Sequence, residues 1–123
     1  MPLMGRQRVV LGAALASLFV AIVLVEAPQQ APIVSLRATY DGTTACVQGL
    51  DADGRARVFS AANFNLSFFD QNNSGLGGTG YEEVKPEHFT GLSLCTSLTF
   101  GKRTAVRFEV KGLVEGVLME AKS

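Results

Sequence analysis

His88 is the only histidine in the 123-residue chain, so any nucleophilic triad or Cys–His pair has to be assembled around it. It stands between Glu87 and Phe89 where a turn meets a strand, with no G-x-S-x-G elbow or comparable motif nearby. General acid–base work needs titratable groups that converge, and here the acids are scattered over turn segments. The expectation is a protein with no catalytic activity and no cofactor, in which His88 is a solvated turn residue. A calcium loop is the next candidate. Asp70, Asn72 and Ser74 supply oxygens at the first, third and fifth positions of such a loop, and Gly75 supplies the glycine at the sixth. The twelfth position, where a bidentate Glu belongs, is Tyr81, with Glu82 and Glu83 one and two residues late. Asp70, Asn72, Ser74 and Glu82 are therefore a weak metal set, and residues 70–80 read more simply as an Asn- and Gly-rich turn or long hairpin loop. Asp51-x-Asp53-Gly54 is another acidic turn, balanced by Arg55 and Arg57. Gly77-Gly78-x-Gly80 lacks the following helix and the Lys or Ser/Thr that a phosphate cradle uses. Asn65-Leu66-Ser67 and Asn72-Asn73-Ser74 are glycosylation sequons, relevant only in a host that glycosylates exported proteins.

Cys46 and Cys95 are the only cysteines and read as one intramolecular disulfide. There is no C-x-x-C, and two cysteines with one histidine fall short of a tetrahedral metal set without a carboxylate. Strand parity places Cys46 in phase with Thr44 and Gln48, and Cys95 in phase with Ser93 and Ser97. Both then look outward. That predicts a cross-strand or surface bridge, not an inter-sheet bridge packed on a Trp, which the chain lacks.

The elements that position these residues are extended. Apolar residues recur with period 2: Val34, Leu36, Ala38 and Tyr40; then Ala62, Phe64, Leu66 and Phe68; then Leu92, Leu94, Leu98 and Phe100; then Thr104, Val106, Phe108 and Val110. Thr43 to Leu50, Arg55 to Ser60, Tyr81 to Val84 and Leu113 to Ala121 are further extended stretches. Asp41-Gly42, Asp51 to Gly54, Lys85-Pro86-Glu87 and Gly101-Lys102 punctuate them. About seven strands with turn signals roughly every ten residues predict an all-β, immunoglobulin-like sandwich over residues 33–123. Near its end, Val114, Val117, Leu118 and Met119 are either core or an exposed apolar edge strand that a partner pairs with.

Ahead of the domain stands a different kind of segment. Residues 1–8 carry Arg6 and Arg8 and no acid, and Val9 to Val25 is a run of 17 uncharged residues. As a helix it reaches about 25 Å, at the short end for a hydrocarbon core of about 30 Å. Proline follows the best small-residue cleavage sites, at Ala27-Pro28 and Ala31-Pro32. The reading favoured is an uncleaved membrane anchor with a cytoplasmic n-region; cleavage and secretion are the alternative. Residues 26–32, EAPQQAP, form a short linker, and everything beyond is expected outside the cytoplasm. Eleven basic residues against 11 acids leave no field for nucleic acid, and 47% apolar residues exclude a disordered chain.

The stretch from Cys46 to Phe100 resembles the FxLYD family of small extracytoplasmic β-sandwich domains. The likeness lies in a strand ending Leu66-Ser67-Phe68-Phe69-Asp70, a turn, a Gly-rich strand Leu76-Gly77-Gly78-Thr79-Gly80, a Pro-containing turn and a strand from Phe89. Phe69 stands where the family usually has Tyr, and Glu87 where a Gly commonly follows the proline. The resemblance implies fold and compartment and no shared catalytic residue. The expected role is a membrane-tethered interaction protein, a small accessory subunit that contacts another envelope protein. The alternative is a secreted or periplasmic binder of a small ligand or calcium through residues 70–83.

Overall fold

The computed structural model describes residues 30–123, of which Ala31–Ser123 form one compact unit. The expected n-region 1–8, the anchor 9–25 with its helix, and the linker up to residue 29 lie outside the described residues. Eight strands follow one another: β1 Ser35–Tyr40, β2 Ala45–Leu50, β3 Ala56–Arg57, β4 Ala61–Phe69, β5 Gly75–Val84, β6 Leu94–Thr96, β7 Arg107–Val114 and β8 Val117–Lys122. A single 3-10 turn at Pro86–His88 separates β5 from β6. The strands make two antiparallel sheets. In one, β2 pairs along its length with β1, while its other edge takes β3 at Gly49–Leu50 and β6 at Ala45–Val47. The second has the order β5-β4-β7-β8.

Alternation explains the packing. On β2, Ala45, Val47 and Gly49 are buried and Cys46, Gln48 and Leu50 are not; on β4 and β7, Phe64, Leu66, Phe68, Phe108 and Val110 point the same way. Aromatic rings join the sheets. Phe68 stacks on Phe108 with centroids 5.6 Å apart, and Tyr40 of the facing sheet meets both edge-on at 5.8 and 6.2 Å. Phe59 sits edge-on to Phe89 and tilted against Phe64. Such rings bury about 150–250 Å² each, so they dominate what holds this small core together.

The acids noted in turns have a common structural use. Asp41 Oδ1 accepts the backbone N–H of Thr43 and Thr44, Asp51 Oδ1 those of Asp53 and Arg55, and Asp70 Oδ1 those of Asn72 and Ser74. Each side chain mimics a turn of backbone and closes its loop.

Five sequence expectations change. The Gly-rich segment is not a loop: only residues 70–74 turn, and Gly75 onward is β5, ten residues long. Glycine is required at Gly78 by close approach, since a Cβ there would lie 2.0 Å from the Leu66 carbonyl oxygen, while one on Gly80 would have to displace the Asn65 side chain. Residues 113–121 are a hairpin rather than one strand, because Glu115 (φ 49°) and Gly116 (φ 86°) form the two-residue left-handed turn that hairpins favour. Asn63 (φ 50°) bulges β4, so Ala61 rather than Ala62 points inward. Of the long extended stretches at 55–60 and 89–100, only Ala56–Arg57 and Leu94–Thr96 are strands, and Leu92 is half exposed. Parity also slips at two strand ends, where Ile33 and Ala105 are buried and Val34 and Val106 exposed.

Candidate functional site

Cys46 and Cys95 face each other directly across β2 and β6 and are joined by a disulfide, with Cα atoms 4.1 Å apart. The bridge lies on the outer face of its sheet in a ladder of cross-strand contacts. Thr44 Oγ1 and Ser97 Oγ are 3.1 Å apart on one side, and Gln48 Nε2 donates to Ser93 Oγ at 3.1 Å on the other. Since β6 is three residues long, the disulfide pins the shortest strand outside the β3 pairing to its sheet.

The weak metal set does not converge. Asp70 sits at the turn before β5 and Glu82 near that strand's far end, about 23 Å of extended chain beyond Gly75. Asp70 is also occupied: besides its two turn N–H donors, Arg103 Nη2 donates to Oδ2 at 2.9 Å. These bonds, from Ser74 first and then Arg103, hold its carboxyl below the usual range. Among the described residues, no group of three or more His, Cys, Asp or Glu could hold a metal ion. His88 Nδ1 accepts the backbone N–H of Lys85 at 3.0 Å, which closes the 3-10 turn, and its ring lies against Tyr81.

The four apolar residues near the C-terminus divide. Val114 is fully buried, and Met119 is partly buried where it packs against the core. Val117 and Leu118 are 56% and 61% exposed on β8, the edge strand of its sheet. Leu118 pairs directly with Leu113, itself exposed on β7. The two leucines form the apolar end of an open groove of about 490 Å³ on the outer face of the second sheet. Its walls are Asn63, Asn65 and Ser67 of β4, Glu109 and Lys111 of β7 and Glu120 of β8. Lys111 stands opposite Glu120, and Glu109 opposite Lys122. Arg107 lies over the Phe69 ring at 4.2 Å and donates to Glu109 Oε2 at 2.6 Å, which keeps the Glu109 carboxyl ionised below the ordinary range. The arrangement offers backbone-edge, charged and apolar contacts on one open face and no converging acid and base.

One further cluster fixes the same end of the domain. Arg57 donates from Nη1 and Nη2 to the two oxygens of Glu115 at 2.7 and 2.8 Å, and from Nε to the Ala31 carbonyl at 2.8 Å. The Ile33 N–H reaches Glu115 Oε1 at 3.5 Å. Arg57 thus ties the beginning of the compact unit to the β7–β8 turn, beside Leu113 and Leu118. The Arg57 hydrogen bonds, with a smaller contribution from Ile33, draw the Glu115 carboxyl below its usual value, and burial opposes them. Sequence reasoning missed this pair and the groove together. Reading Glu115-Gly116 as a turn would have found the groove, because it sets Leu113 opposite Leu118, whereas the Arg57 pairing carries no local signal.

Compared with family models, curated proteins and solved structures, the chain matches none. Among the described residues, no helix is long and apolar enough to cross a membrane.

Proposed function

We propose that the protein is a non-enzymatic interaction domain, membrane-tethered and extracytoplasmic, that contacts another envelope protein as a small accessory subunit. The observation that carries this reading is the exposed Leu113–Leu118 pair at the end of an open, charged-walled groove, since clustered apolar side chains rimmed by polar ones mark contact surfaces. The tether rests on the sequence: a basic n-region, 17 uncharged residues and a short proline-containing linker. Immunoglobulin-like topology is the finer fold reading. It is supported by a chain that changes sheet between β3 and β4, β5 and β6, and β6 and β7, as Greek-key sandwiches do. The FxLYD likeness rests on the sequence: the strand ending Phe68-Phe69-Asp70, the turn and the Gly-rich Leu76 to Gly80.

The test is the size of the native complex. Membranes holding the wild-type protein or Leu118→Arg are solubilised in mild detergent and resolved by native electrophoresis. A discrete assembly larger than the protein alone, lost in Leu118→Arg while the melting temperature is kept, is the expected result. An identical pattern for both proteins contradicts the assignment of this face.

A further inference from the structure

We propose that β5 is a self-association edge, along which two copies of the chain pair antiparallel and join their second sheets into one of eight strands. β5 is the longest edge strand of the fold, at ten residues, against six for β1 and β8, three for β6 and two for β3. It pairs with β4 on one side only. Among the described residues no backbone hydrogen bond from a loop ends on it. Its outer N–H and C=O groups therefore form an open ladder, and proteins that must remain single cover or disrupt such edges with proline, lysine or a short length. β5 has no proline and no lysine.

A second copy is the occupant that the residues along β5 fit. A two-fold axis perpendicular to the sheet requires one residue to face itself. With Thr79 at the axis, Gly78 faces Gly80, Gly77 faces Tyr81, Leu76 faces Glu82 and Gly75 faces Glu83, so Tyr81 and Glu83 of one copy meet glycines of the other. Thr79 faces Thr79, a favourable β-branched pair. Charge selects the same register. Both acids of β5, Glu82 and Glu83, lie at one end, and Arg103 is held on Asp70 of the turn that enters the other end. Pairing about Thr79 brings the acidic end of each copy to the arginine end of its partner. Centring on Tyr81 would instead set the two Glu82 side chains about 7–8 Å apart, a like-charge contact that disfavours it. The interface uses the opposite edge of the sheet from β8, so it stands or falls independently of the Leu113–Leu118 face.

The experiment uses the full chain in mild-detergent micelles, where light scattering gives the mass of the protein component. Thr79→Cys and, as a control on the other sheet, Ser35→Cys are exposed to mild oxidant, and Thr79→Lys is examined by sedimentation. Covalent dimer formed by Thr79→Cys and not by Ser35→Cys is the expected result. Thr79→Lys, which places like charges face to face, is expected to raise the dimer Kd about tenfold with an unchanged β-sheet circular dichroism spectrum. A wild-type protein that remains monomeric across the concentration range overturns the proposal. So does equal cross-linking of the two cysteine variants, which would place any dimer contact elsewhere.

Discussion

Removing the Cys46–Cys95 bridge probes how the first sheet is held. The perturbation is Cys46→Ala with Cys95→Ala, which deletes the bond and leaves the flanking Thr44–Ser97 and Gln48–Ser93 contacts in place. The two residues are 49 apart in sequence, and closing a loop of that length lowers the entropy of the unfolded chain by an amount worth about 4 kcal/mol at 25 °C. For a domain of this size, about 4–8 °C of melting temperature accompanies each kcal/mol, so a loss of about 16–32 °C is expected. The loss has a location as well as a size. β6 pairs with β2 through three residues only, so amide exchange at Leu94, Cys95 and Thr96 should accelerate more than exchange in β4 or β7. The assay is thermal unfolding by circular dichroism, paired with hydrogen exchange. A melting temperature within about 5 °C of the wild type refutes the loop-closure reasoning. Uniform loss of protection across both sheets refutes the claim that the bond acts by pinning β6.

Glu115→Gln keeps the backbone of the hairpin turn and removes the charge that Arg57 grips; with both side chains largely but not fully covered, a loss of about 1–2 kcal/mol is expected in urea unfolding. The pH dependence has a definite sign: the folded carboxyl titrates below its ordinary value near 4.5, so its stabilisation is present above that pH and fades as pH falls through the folded value. Glu115→Gln should therefore flatten the acid side of the stability profile, and an unchanged profile argues against the clamp. Gly112→Ala drives a Cβ to 2.7 Å from the Phe64 ring and 2.8 Å from its Cα, so a loss of about 1–3 kcal/mol is expected, measured the same way. Millimolar calcium should leave the melting temperature unchanged, because Asp70 is committed to Arg103 and its own turn while Glu82 is carried away along β5; a dose-dependent rise would reinstate the loop 70–83 as a cation site.

What was legible in the sequence was whatever the pleat dictates locally. Phe64, Leu66 and Phe68 announce β4 and its buried face, and the phase of Cys46 with Thr44 and Gln48 places the disulfide on the outside. Three features escaped because their causes lie elsewhere in the chain. β5 forms from glycines with little strand preference because β4 supplies a partner edge and leaves no room for a side chain at Gly78. The bulge at Asn63 is a left-handed residue inside an otherwise regular alternation, which no period reveals. Arg57 and Glu115 are 58 residues apart and meet only because two sheet ends converge on Ala31. Of the contact face, Leu118 was in view from its position in an apolar run, whereas Leu113, Lys111 and Glu120 join it only after the hairpin is folded.

The most direct test of the contact face is site-specific photo-crosslinking in native membranes, with the photoreactive residue placed in turn at Leu118, Leu113 and, on the outer face of the other sheet, Thr39. One and the same adduct from Leu118 and Leu113, with none from Thr39, is the expected result. Adducts from Thr39 alone, or from all three positions equally, would contradict it.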